Sequence, residues 1–156
     1  MNEGMFRVLI VDDEFNDIVD VKRMLEATGR ISVTHSPTYA AFDGERDDVL
    51  AAVAQYDVLV LDVFMQEDNV EPFRQFVELI KGEKPFLAYT RLRTIDDIEL
   101  GRGTYEELRS WIIERCGLGL VTKQGAEFRA PDHDARRDRE YNVAERVIEC
   151  YWAWRL

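Results

Sequence analysis

The 156 residues carry 20 Lys+Arg against 31 Asp+Glu, a formal net charge of −11, and 46% of them are apolar. That apolar share suits one globular core and excludes a disordered chain, while the acidity argues against a nucleic-acid surface, which needs clustered Lys and Arg. No apolar run approaches the roughly 20 residues of a membrane-spanning helix, and Met1–Phe6 is too short and mixed for a secretory signal. A single cytoplasmic domain over 1–156, with no direct contact to nucleic acid or membrane, is the expectation. Cys116 and Cys150 form no CxxC pair, and His35 and His133 stand alone. Two reduced, partly buried thiols and two surface or loop histidines are expected, with no zinc site.

In chain order, Phe6–Val11 (FRVLIV) is an apolar, β-branched run that stops at Asp12-Asp13-Glu14, and it reads as a buried strand. From Ile18 to Thr28, Ile18, Val21, Met24 and Leu25 recur at helical spacing before Gly29, a plausible stop. Ile31–Thr34 is a short second strand, and Ser36-Pro37 marks a turn. Asp47–Gln55 reads as a helix with Val49, Leu50 and Val53 inward. Val58–Leu61 (VLVL) is the clearest buried strand, followed at once by Asp62. Pro72 suits a first helical position, and Phe73, Phe76, Val77 and Ile80 mark one helix face ending near Gly82. Phe86–Tyr89 is a fourth strand running into Thr90. Arg91–Gly103 is polar and reads as a loop, and Thr104 to Glu107 forms a capping box opening a helix that stops near Cys116-Gly117. Leu118–Val121 is a fifth strand, with Lys123 just after it, and 134–154 is a last helix.

Strand alternating with helix implies an α/β fold: a doubly wound, five-stranded parallel sheet with helices on both faces. Sites in such folds lie at the carboxyl ends of the strands. The residues there are Asp12 and Asp13 after the first strand, Asp62 after the third, Thr90 after the fourth and Lys123 after the fifth; the second contributes nothing obvious. Three carboxylates brought together repel one another, and a divalent cation relieves this. Hard oxygen ligands with open water positions suit Mg2+. A carboxylate can also serve as a nucleophile for phosphoryl transfer, with Mg2+, the Lys123 ammonium and the Thr90 hydroxyl serving the phosphoryl oxygens. Acidic residues at strand ends are individually common, and Asp12-Asp13 also suits a helix N-terminus; the joint placement at four strand ends carries the reading.

VLIVDDE, VLVLDVFM, FLAYT and LGLVTK resemble the response-regulator receiver domain of two-component signalling, the chemotaxis-regulator (CheY-like) type, over nearly the whole chain. The resemblance implies the flavodoxin-like strand order 2-1-3-4-5. It implies that Asp62 is the phosphoacceptor, that Asp12, Asp13, Asp62 and the backbone carbonyl of Phe64 hold Mg2+, and that Thr90 and Lys123 contact the phosphoryl group. It implies a histidine kinase or phosphotransfer protein as donor. The chain departs from the family's habits at Gln66, where Pro is usual nearby, at Arg91 after the switch Thr, at Gln124 after the lysine, and at Leu120, where Tyr or Phe is usual.

The reading is a stand-alone, atypical single-domain receiver that catalyses only its own phosphorylation and dephosphorylation and signals through contact with a downstream protein. A pseudo-receiver, the same fold used as a phosphorylation-independent interaction module, is the rival. A phosphatase with an Asp nucleophile ranks last, because Phe64 stands where its second acid would be. In the last helix Val143, Ala144, Val147, Ile148, Tyr151, Trp152 and Trp154 cover about half the circumference. A core helix closing the domain's edge is slightly favoured over a docking face anchored by one of the three aromatics. A homodimer through this helix or the 91–115 region is the corresponding partner expectation.

Overall fold

Three central strands are apolar on both faces, so they can lie only where helices cover both sides of a sheet. The structure, a computed structural model, describes residues 4–64, 69–90, 105–122 and 143–155. Its elements are β1 (Phe6–Val11), α1 (Phe15–Glu26), β2 (Ile31–Ser36), a 3-10 turn (Tyr39–Phe42), α2 (Arg46–Val53), β3 (Val58–Leu61), α3 (Glu71–Ile80), β4 (Phe86–Thr90), α4 (Tyr105–Glu114), β5 (Gly117–Thr122) and α5 (Val143–Arg155). All strand pairs are parallel, in the order β2-β1-β3-β4-β5. This is the doubly wound order expected from the sequence. Every residue of β3 and β4 is buried, whereas the edge strand β2 alternates.

Two apolar clusters follow from the pleat. Leu9, Leu59, Leu61 and Phe86 point to one face, where Phe73 and Phe76 of α3 and Ile112 of α4 cover them. Val8, Ile10, Val60 and Leu87 point to the other, under Ile18 and Leu25 of α1 and Val147 and Tyr151 of α5. α4 is tied to α3 by Arg115, whose Nε donates to Glu78 at 2.5 Å while its guanidinium lies 4.0 Å from the centre of the Trp111 ring.

The differences from the sequence reading are local. β2 runs on through His35 and Ser36, because both still pair with β1. α1 begins three residues before Ile18, at Phe15. Cys116, expected to be partly buried, is exposed; it ends α4 in the left-handed region at φ 67°, while Cys150 is half-buried. The expected loop 91–103, Thr104 of the capping box, His133 and the 134–142 part of the last helix lie outside the described residues. In α5, Tyr151 is buried and the Trp154 ring lies 5.1 Å from Phe6 of β1, so these two are core aromatics; Trp152 is exposed. No helix among the described residues is long and apolar enough to cross a membrane.

β5 joins the sheet through an irregularity. Phe86 pairs with Gly117 but Leu87 with Gly119, which leaves Leu118 as an extra residue. Gly117 has no room for a side chain: a Cβ there would collide with Ile112 Cγ2 and lie 2.8 Å from the Ile112 carbonyl oxygen and Phe86 Cζ. Gly117→Ala should therefore lower stability by about 1–3 kcal/mol in urea unfolding followed by circular dichroism. Gly4→Ala, with nothing near its Cβ, should stay within about 0.5 kcal/mol of wild type.

Candidate functional site

The site is built where β1 and β3 run out of sheet. The ladder continues one step past each strand: the Asp12 N–H donates to the Ser36 carbonyl at 3.0 Å, and the Asp62 N–H to the Val11 carbonyl at 2.9 Å. Both aspartates are thereby held on the sheet's carboxyl edge, at 1% and 2% exposure. Such depth is unusual for carboxylates, which seldom lie buried without partners. The Glu14 N–H donates to Asp12 Oδ1 at 2.8 Å, so Asp12 also serves the first turn of α1. Asp13 is half-buried. Asp12, Asp13 and Asp62 each offer a carboxylate oxygen, and these atoms lie within 4.8 Å of one another.

Thr90, fully buried at the end of β4, donates its hydroxyl to Asp62 Oδ1 at 2.8 Å. Thr90 Oγ1 in turn accepts from the Phe64 N–H at 3.4 Å, which ties the stretch after Asp62 to β4. Thus four of the sequence-derived residues, Asp12, Asp13, Asp62 and Thr90, meet at one edge, with Phe64 beside them. Lys123 follows the last residue of β5 directly in sequence and lies outside the described residues.

The donor set fits a hard divalent cation. It is all oxygen, it carries more negative charge than a buried cluster tolerates unaided, and it leaves positions for water. Mg2+ is therefore compatible with these residues on chemistry alone.

β2 and the turn after it, which offered no candidate in the sequence, supply two neighbours. His35 is half-buried rather than on the surface or in a loop, because it belongs to β2. Its Nε2 lies 2.7 Å from the Asp12 carbonyl, so that nitrogen carries the proton and donates. Tyr39, in the 3-10 turn after β2, donates its buried hydroxyl to the main-chain carbonyl of Asp62 at 2.7 Å. Burial pushes the Tyr39 hydroxyl well above the usual tyrosine range, and the nearby Asp62 and Asp12 charges add to this, so it remains a donor. A local signal does exist for the turn: Thr38 follows Ser36-Pro37 and caps it, accepting from the Ala40 N–H at 3.0 Å. Where the ring goes is a long-range matter that no local pattern encodes. A cleft of about 560 Å3 beside the site is lined by Asp13, Tyr39, Phe42 and Phe76 among others.

Many solved structures share this arrangement of chain. The response regulator domain of Thermotoga maritima CheB is 16% identical at a TM-score of 0.58, over 97% of this chain and 98% of that one. A response regulator receiver protein from Burkholderia phymatum is 19% identical at 0.54, over 90% and 94%. A structure of the P1 domain of CheA3 in complex with CheY6 from R. sphaeroides matches at 17% identity and 0.50, over 78% and 84%. The chain has the receiver-domain fold. No protein-family model matches the sequence, and no curated protein does.

Within this receiver fold, Leu120 and Tyr89 lie on opposite sides of the sheet. Leu120 packs in the cluster under α2, α3 and α4, and Tyr89 in the cluster under α1 and α5. Tyr89 therefore does not stand in for the aromatic that Leu120 replaces. Arg91 lies outside the described residues.

Crowding of the three carboxylates has a measurable consequence. In chelator, Asp13→Asn should be more stable than wild type by on the order of 1 kcal/mol, because one like charge is removed. Adding Mg2+ to about a hundred times its dissociation constant should stabilise wild type by about 2.7 kcal/mol and the variant by less. Urea unfolding with and without the metal reads both effects.

Proposed function

We propose that the protein is a response regulator whose Asp62 accepts a phosphoryl group in a Mg2+-dependent reaction and which signals through protein–protein contact. The observation that carries this is the Thr90 hydroxyl donating to the carboxylate of a buried Asp62 whose oxygens lie beside those of Asp12 and Asp13. In the transfer, a carboxylate oxygen of Asp62 attacks phosphorus while the bond from phosphorus to the donor's nitrogen or oxygen breaks, leaving a mixed anhydride on Asp62. Asp12, Asp13, Asp62 and the Phe64 carbonyl are the groups that would hold Mg2+. When bound, the cation supplies positive charge to the phosphoryl oxygens. Thr90 holds the carboxylate in place beforehand and then turns its hydrogen to a phosphoryl oxygen. The Lys123 ammonium, following β5 in the sequence, pairs with another.

A histidine kinase or phosphotransfer protein is the proposed donor, in keeping with the complex of the P1 domain of CheA3 with CheY6 among the similar structures. A phosphorylation-independent interaction module is the weaker reading. A surface used only for docking gains nothing from three crowded carboxylates and a threonine aimed at one of them.

Intact-mass analysis after incubation with acetyl phosphate and Mg2+ tests the proposal. Wild type should gain one phosphate, and Asp62→Asn or chelator should abolish it. Lys123→Ala should still bind Mg2+ and should lose the downstream response. Phosphate on the same peptide of Asp62→Asn would refute the assignment.

A further inference from the structure

The Asp62 main chain is pinned on both sides, and one pin comes from outside the sheet. Its N–H is held by the Val11 carbonyl of β1 at 2.9 Å. Its carbonyl lies one residue past Leu61, where the register of β3 with β1 and with β4 ends. The Tyr39 hydroxyl fills that place at 2.7 Å. With both flanking peptide planes fixed, the direction in which the Asp62 side chain leaves the backbone is fixed too. That direction places its carboxylate against Thr90 and beside Asp12 and Asp13.

Tyr39 is itself immobilised. Its ring is buried 5.1 Å from Phe76 of α3, and Phe76 also meets Phe42 at 5.9 Å. The turn that carries it is closed by Thr38 Oγ1 accepting from Ala40 and by Ser36 Oγ donating to the Thr38 carbonyl at 2.9 Å. The hydroxyl is therefore a rigid post rather than an adaptable contact.

We propose that Tyr39 is a positioning residue for Asp62: it fixes the main chain of the acceptor from the β2–α2 connection and so holds the carboxylate in its reactive and metal-binding orientation. This rests on Asp62 being the phosphoacceptor. Tyr39→Phe removes only the hydroxyl and keeps the ring in its packing. It removes the hydroxyl that holds the Asp62 carbonyl, so the peptide after Asp62 is held less tightly. Misplacement of a reacting group by about 1 Å is costly, on the order of a hundredfold.

The test compares Tyr39→Phe with Val53→Ala. Val53 is fully buried in the same apolar cluster, on α2, and belongs to no part of the site. All measurements are made where circular dichroism shows each protein folded. For Tyr39→Phe, the rate of phosphate incorporation at saturating acetyl phosphate should fall roughly tenfold, with half-saturation by the donor within about twofold of wild type. Its Mg2+ dissociation constant, read by calorimetry without any donor, should rise by about threefold or more. Val53→Ala should lower stability as a truncated core residue does and leave both quantities within about twofold of wild type.

The proposal is overturned if Tyr39→Phe matches wild type in rate and Mg2+ affinity. It is also overturned if Val53→Ala shows the same losses, which would make them a general effect of destabilisation. Wild type failing to take up phosphate would refute the acceptor reading instead. The Mg2+ comparison would still decide whether Tyr39 positions Asp62.

Discussion

Two neighbouring parallel strands end in aspartates that stay almost entirely out of water, with a third carboxylate beside them. Like charges in such a place repel, and burial denies them the screening that water would give. Much of the surrounding structure answers that difficulty. Main-chain bonds beyond the ends of β1 and β3 fix where the charges sit. The first turn of α1 places an N–H on Asp12, Thr90 places a hydroxyl on Asp62, and Tyr39 satisfies the carbonyl behind it. The arrangement holds three carboxylate groups in a fixed geometry, which suits a divalent cation.

Most of this was legible because the central strands carry their own signature. Apart from the exposed Arg7, FRVLIV and VLVL are buried on both faces, so each reads as an apolar run whose end is marked by Asp, and both strands have the expected bounds. Parallel order then places Asp12, Asp13, Asp62 and Thr90 at one edge. What stayed hidden depends on distance along the chain. His35 and Tyr39 reach partners 23 residues away, and nothing in ISVTHSPTY announces where those side chains point. The extra residue in β5 was likewise unreadable, since no local turn motif marks it.

The α4 side of the molecule follows the receiver pattern less closely than the acidic edge does. The acidic cluster and Thr90 stand together. Leu120, however, puts an aliphatic side chain in the core under α4, and Tyr89 faces the other layer. No aromatic at either position is free to swing between the sheet edge and solvent on the α4 side. α4 is also clamped to α3 through Arg115, Glu78 and Trp111. On the proposed function, a ring flip at Leu120 is not available to carry a response from Asp62 and Thr90. α5 is chiefly a core helix, with Trp152 as its one large exposed aromatic among the described residues.

The most direct test of the account is a crystal structure with Mg2+ and beryllofluoride, a phosphoryl mimic that binds a reactive carboxylate. The account predicts the mimic on the Asp62 carboxylate, the cation touching Asp12, Asp13 and Asp62, and the Thr90 hydroxyl turned to a fluoride. A cation held by the three aspartates with the mimic absent from Asp62, or bound to another carboxylate, would contradict it.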